Sequence, residues 1–129
     1  MRDITTKFGT NAGKIWSTLS EKGCLKQDEI LTATKLDEKD FHTSVGWLAR
    51  ENKISRREGG FKLENTNLYQ EIGSHAGSVW KILDIWGDAD IETLKKLSDL
   101  DENQVHTAIG WLAREDKIAI NNKNRLNLK

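Results

Sequence analysis

The chain is short of cysteine, of long apolar runs and of net charge, and each shortage excludes a class of protein. Its one cysteine, Cys24, cannot form an internal disulfide, so we expect a reducing compartment, the cytoplasm. No run approaches the roughly 18 apolar residues that a membrane helix needs. The opening MRDITTKFG also lacks the apolar core of a secretion signal. We therefore expect a cytoplasmic protein that does not associate with membranes.

The charge balance argues against avid non-specific binding to nucleic acid. The 20 basic and 20 acidic residues of the 129-residue chain cancel. Residues 1–64 hold 12 basic and 10 acidic residues, and residues 65–129 hold 8 and 10. Neither half is the strongly basic body that phosphate binding usually requires. A local basic patch is still compatible with a neutral protein.

What the sequence does contain is an internal duplication. HTSVGWLAREN at residues 42–52 recurs as HTAIGWLARED 64 positions later, and the match extends without a gap on both sides. Two copies of this length indicate two small domains or one pseudo-symmetric body, not a solenoid. We predict a first repeat over residues 1–64 and a second over 65–129. The polar segment ENTNLYQE between them is too short for a free linker, so we expect them to dock as a pseudo-two-fold dimer.

Each repeat is predicted to begin with an amphipathic helix. The cap residues Thr10 and Ser74 precede apolar residues at steps of three and four, which places Trp16 and Trp80 in the core. The apolar residues farther upstream either lead into this helix or form a short strand: Ile4, Phe8, Leu68 and Ile72. Glycine weakens a helix by about 1 kcal/mol relative to alanine. Gly13 and Gly77 therefore predict the close approach of another helix.

The rest of each repeat predicts two more helices and a hairpin. Second helices run near residues 27–34 and 91–98. Asp37 and Asp101 have the character of N-caps for third helices. Apolar residues around a Glu-Gly-Gly turn, at residues 58–60, then predict a two-stranded wing. The fold class is thus mainly α with small β-hairpins (α+β), a tandem winged helix-turn-helix with three helices and a wing per repeat.

Two pairs of segments carry a narrower resemblance. GTNAGKIW with VGWLARENKI, and GSHAGSVW with IGWLAREDKI, resemble a small bacterial and archaeal winged-helix family whose function is uncharacterised. The resemblance covers nearly all of both halves. It implies the winged helix-turn-helix fold and supplies no activity.

The residues offer little for catalysis. No Gly-rich phosphate loop, paired-cysteine spacing or His-Glu-x-x-His motif occurs. His42 and His106 occupy equivalent helix positions and are either structural or a ligand or switch pair, but two histidines without neighbouring ligands make a poor metal site. We expect no enzyme, no catalytic residue, no metal and no cofactor.

The fold suggests a DNA-reading surface. In a helix-turn-helix the third helix enters the major groove, where polar and basic side chains contact bases and phosphates. The candidate DNA-binding residues, from the outward line of both third helices and the first wing, are Lys39, Thr43, Arg50, Arg56, Arg57, Asn103, Thr107 and Arg114. Double-stranded DNA is the first candidate partner, which makes the chain a DNA-binding or transcription-regulatory module. The alternative is a protein-protein interaction or assembly module without DNA binding.

The repeated Gly-Trp pair predicts that another structural element packs against each third helix. Each pair lies at the edge between the core and surface of a third helix. We predict an inter-repeat interface at Gly46, Trp47, Gly110 and Trp111, in a monomer with an intramolecular pseudo-dimer or in a homodimer. The alternative is that each tryptophan packs on the first helix of its own repeat.

Overall fold

A computed structural model describes residues 4–129, which form six helices and five short strands. The helices are α1 (Ile4–Lys22), α2 (Gln27–Thr34), α3 (Glu38–Arg50), α4 (Tyr69–Trp86), α5 (Ile91–Ser98) and α6 (Glu102–Arg114). The strands are β1 (Ile54–Arg57), β2 (Gly60–Leu63), β3 (Asp88–Ala89), β4 (Ile118–Ile120) and β5 (Leu126–Leu128). The predicted α+β class, with three helices and a wing in each repeat, is confirmed.

The third helices begin where their caps predict. The Asp37 side chain accepts a hydrogen bond from the Asp40 amide at 2.8 Å, and Asp101 does the same for Gln104 at 2.8 Å. These bonds satisfy amides that the first turn of a helix leaves free. One face of each helix is then buried in the core: Phe41, Val45, Leu48, Val105, Ile109 and Leu112.

The first helices begin earlier than the cap residues Thr10 and Ser74 predict, so that prediction was wrong. α1 starts six residues upstream of Thr10, and α4 starts five residues upstream of Ser74. Ile4, Phe8 and Ala12 are buried at steps of four, so continued burial of one apolar face extends the helix past the candidate cap. The upstream apolar residues belong to these helices or cap them, and none forms a strand: Ile4, Phe8, Ile72 and the α4 N-cap Leu68.

The expected burial of Trp16 and Trp80 was also wrong. Their exposed fractions are 44% and 37%, whereas the neighbouring Ile15 and Leu19 are almost fully buried. The place beside α1 belongs to the indole of Trp47 instead, which lies against Gly9. Two large aromatic side chains are therefore left on the surface of the first helices.

The wings follow the predicted hairpin pattern with one addition. β1 pairs antiparallel with β2, with Arg56 opposite Phe61, and β4 pairs antiparallel with β5. The sequence did not predict β3, which pairs with the other edge of β5 to make a three-stranded sheet. The first repeat has only a single bridge there, between Leu25 and Phe61. That crossing is close, because a Cβ on Gly60 would lie 2.3 Å from the Leu25 carbonyl oxygen.

The two repeats meet where α3 packs on α6 with almost no space between their backbones. A Cβ built on Gly46 would lie 1.9 Å from the Thr107 carbonyl oxygen, and one on Gly110 would lie 1.8 Å from that of Thr43. Only a hydrogen atom fits at either position, which is the geometry of a Cα–H···O contact. Each half of the contact recurs with the repeats exchanged.

The glycines of the first helices behave differently from those of the third. A Cβ on Gly13 or Gly77 would meet no atom within 4 Å among residues 4–129 beyond its own helix neighbourhood. The predicted close approach of another helix was therefore wrong for this part of the chain, and the two positions lie open beside Trp16 and Trp80.

Replacement of Gly46 by alanine is expected to destabilise the fold by about 3 kcal/mol or more, at the upper end of overpacking effects, because backbone atoms cannot move aside as side chains do. Gly13→Ala is the matched control, since its methyl group enters open space and alanine favours the helix. Chemical denaturation of both variants measures the difference. Equal stability of the two variants would contradict the backbone contact.

Candidate nucleic-acid interface

The middle of each predicted DNA-reading face is covered. Thr43 and Thr107 are 0% and 6% exposed, because each lies in the contact between α3 and α6. Their hydroxyl groups donate hydrogen bonds within their own helices, to the carbonyls of Asp40 at 3.1 Å and Gln104 at 2.9 Å. Neither side chain is open to a nucleic-acid base.

The arginines at the ends of these helices reach across to the other repeat. Arg50 Nε lies 3.0 Å from a Glu115 carboxylate oxygen, and Arg114 Nε lies 2.9 Å from that of Glu51. Each guanidinium also lies 5.7 Å from the centre of the opposite indole, Arg50 over Trp111 and Arg114 over Trp47. The two cations thus face glutamates and indoles of the opposite repeat.

The arginines of the first wing are also matched by carboxylates. Arg56 lies 3.5 Å from Glu71 of α4, and Arg57 is hydrogen-bonded to Glu64. Hydrogen bonds from Arg57 and Ser55 hold the pKa of Glu64 below its usual range, so this carboxylate stays charged beside the wing. The positive potential that would attract phosphate is reduced accordingly.

Lys39 and Asn103 are exposed on the third helices without an ion-pair partner among residues 4–129, whereas the exposed Arg114 is paired with Glu51. Lys39 and Asn103 occupy the first turn of α3 and of α6 respectively. Of the eight candidate residues, the two threonines therefore contact the opposite glycines, and the four arginines are paired with glutamates. Lys39 and Asn103 remain exposed to solvent.

The Gly-Trp pair divides between two partners. The glycines contact the opposite repeat, whereas each indole packs on the first helix of its own repeat: a Cβ on Gly9 would lie 3.2 Å from Trp47, and one on Gly73 would lie 3.3 Å from Trp111.

Glu51 and Glu115, which follow the repeated Ala-Arg, were not predicted as site residues from the sequence. Their signal was the repetition itself, because a duplicated Arg-Glu pair can exchange partners across a two-fold axis. A second signal was the Thr-x-x-Gly spacing within each third helix, which aligns two positions on one helix face.

Both halves of the chain match a known protein family. The family described as Winged helix-turn-helix domain (DUF2582) matches residues 1–67 and again residues 63–128. The chain belongs to this winged helix-turn-helix family. No curated protein and no solved structure shows significant similarity to it.

Among residues 4–129, no three His, Cys, Asp or Glu side chains cluster as a metal site would require. No helix within those residues is long and apolar enough to cross a membrane.

His42 and His106 lie beside the contact between the repeats. His106 is 2% exposed, and within residues 4–129 its Nδ1 atom has no hydrogen-bond partner. Burial lowers the pKa of both histidines, and Lys39 lowers that of His106 further. Both imidazoles are therefore neutral in the folded protein at pH 7.

The buried histidines should make stability fall with acidification. In the unfolded chain they take up protons near pH 6.5, whereas the folded state resists protonation, so the free energy of unfolding declines as pH falls from 7 to about 5.5. A His42→Gln/His106→Gln variant is expected to show a shallower decline. Urea denaturation across this range measures both slopes, and equal slopes would contradict the role of these histidines.

Proposed function

We propose that this protein is a non-enzymatic regulatory module of the cytoplasm that acts through protein contacts and does not read the major groove. The observation that carries the proposal is the burial of Thr43 and Thr107 between α3 and α6. A helix whose reading face lies against another backbone cannot enter a groove with that face.

The first helices supply the surface for such contacts. Trp16 and Trp80 are 44% and 37% exposed, and each lies one helical turn after an open glycine, Gly13 or Gly77. Exposed tryptophans are enriched at the centres of protein interfaces, where they contribute much of the binding energy. A glycine beside each indole leaves room for the backbone of a partner.

The second repeat extends this surface into a groove. A cleft of about 600 Å³ runs between α4 and α6, lined by Tyr69, Gly73, Gly77, Trp80 and Trp111. Its aromatic walls and glycine floor suit an apolar side chain carried on an amphipathic helix. We propose that the partner is a protein that presents such a helix.

The charges support a protein partner over DNA. The chain has no net charge, and the arginines of the DNA candidates face Glu51, Glu64, Glu71 and Glu115. Phosphate contacts need cations that are free to replace counterions. Lys39 alone among the basic candidates has no carboxylate of residues 4–129 within ion-pair distance.

Site-specific photocrosslinking in cells that express the protein tests whether the surface around Trp16 and Trp80 binds a partner protein. A benzophenone amino acid at position 16 or 80 should give a discrete crosslinked protein, whereas the same group at Lys123, on the exposed turn of the second wing, should not. Crosslinks of equal yield at all three positions, or at none, would contradict the proposal.

Retention on random duplex DNA at about 50 mM salt tests the alternative, since electrostatic binding is strongest at low salt. We expect no retention. Retention that weakens steeply with salt and is reduced by Lys39→Gln, but not by Lys14→Gln on α1, would favour DNA binding and overturn the proposal.

A further inference from the structure

A cavity of about 680 Å³ lies between the repeats, on the wing side of the second one. Its walls are mainly apolar, with Phe8 of α1 on one side and Ile109, Ile120 and Leu126 of the second repeat on the other. This volume is typical of small-molecule sites, which are largely apolar with a few polar groups for orientation.

Three groups able to carry a proton or a positive charge line the cavity: Lys7, Lys39 and His106. His106 is 2% exposed, and its Nδ1 has no hydrogen-bond partner within residues 4–129, whereas its Nε2 lies 3.8 Å from Glu102. A buried nitrogen without a partner is costly, so a ligand that hydrogen-bonds to Nδ1 recovers that cost.

Two carboxylates also line the cavity, but both already have partners. Asp90 caps α5 by accepting from the Thr93 amide at 2.8 Å and lies 3.6 Å from Arg125. Glu92 lies 3.3 Å from Lys95. Their presence at the rim disfavours a multiply charged anion, whereas a single negative charge near Lys39 is compatible with them.

The cavity differs from the cleft at the equivalent place beside the first wing. At the equivalent place in the first repeat, Arg56 lies over the Phe61 ring at 5.9 Å and reaches Glu71 of α4 at 3.5 Å. Asn67 also donates to the Arg56 carbonyl at 2.6 Å and accepts from its amide at 2.8 Å. Side chains from both repeats thus close that cleft.

The open cleft has different residues at the positions equivalent to those that close the other cleft. By the repeat alignment, Ile120 holds the position of Arg56, Leu126 that of Phe61, and Lys7 that of Glu71. An isoleucine, a smaller leucine and a lysine stand in place of an ion pair and a large ring. The exchange opens the space. Lys7 lies 3.7 Å from an Asp40 carboxylate oxygen, whereas Lys39 has no carboxylate of residues 4–129 within ion-pair distance.

We propose that this cavity binds a small amphiphilic carboxylate, with an apolar body between Phe8 and the Ile109–Ile120–Leu126 wall and its carboxylate toward Lys39 and His106. The apolar walls supply affinity by removing the ligand body from water. The cations and the unpartnered imidazole select the charged end. At the equivalent place, Arg56 with its partners Phe61 and Glu71 occupies the space that the ligand would need.

Titration of the ¹⁵N-labelled protein with decanoate tests the site, with decan-1-ol and decyltrimethylammonium as probes of the same apolar length. We expect saturable chemical-shift changes at the lining residues with decanoate, and affinity at least about tenfold weaker for the other two, a factor that corresponds to 1.4 kcal/mol. Equal affinity for all three probes, or no saturable change at these residues, would overturn the proposal.

Two variants locate the site. Lys7→Glu/Ile120→Arg rebuilds the ion pair of the first repeat and should abolish binding while the remaining spectrum stays native. Lys39→Gln changes an exposed residue, leaves the fold intact and should weaken decanoate about tenfold without affecting decan-1-ol, whereas Lys14→Gln on α1 should change neither. Undiminished decanoate binding by the folded closed variant, or equal effects of the two lysine variants, would refute the assignment.

Discussion

The contact between the backbones of α3 and α6 is the constraint on which the arrangement depends. At Gly46 and Gly110 only hydrogen fits against the opposite carbonyl oxygen. The flanking ion pairs, Arg50–Glu115 and Arg114–Glu51, are partly exposed, and such pairs contribute at most about 1 kcal/mol. The glycines therefore determine how closely the repeats approach. The ion pairs favour one orientation of the two helices but contribute less than the packing.

Once the third helices face each other, the remaining surfaces take on new roles. The helix that reads DNA in other winged-helix proteins becomes an internal support, and the first helices, with Trp16 and Trp80, become the outer faces. Because both copies lie in one chain, their sequences can differ. Arg56 of the first wing and Glu71 of α4 close one cleft, whereas Ile120 and Lys7 at the equivalent positions leave the other open, a difference that a homodimer of identical chains could not have.

The fold was largely predictable because its signals are local. Helix periodicity, the caps Asp37 and Asp101, and the Glu-Gly-Gly turn each act within a few residues. The start of α1 was not predictable from Thr10, because burial of Ile4 and Phe8 by tertiary contacts overrides a local cap signal. The candidate site was harder to predict than the fold. Outward-facing Thr43 and Arg50 have the same periodicity whether solvent, DNA or the other repeat covers them. Only Gly46, which lies between them, indicated that another helix packs against this face.

Interproton NOEs across the repeats test the backbone contact directly, from the Gly46 α-protons to Thr107 and from those of Gly110 to Thr43. The Trp47–Gly9 contact within the first repeat serves as an internal reference, since its indole also lies in van der Waals range. Backbone packing predicts both inter-repeat NOEs, with intensities comparable to the reference. Their absence in a spectrum that shows the reference would contradict close packing of the α3 and α6 backbones.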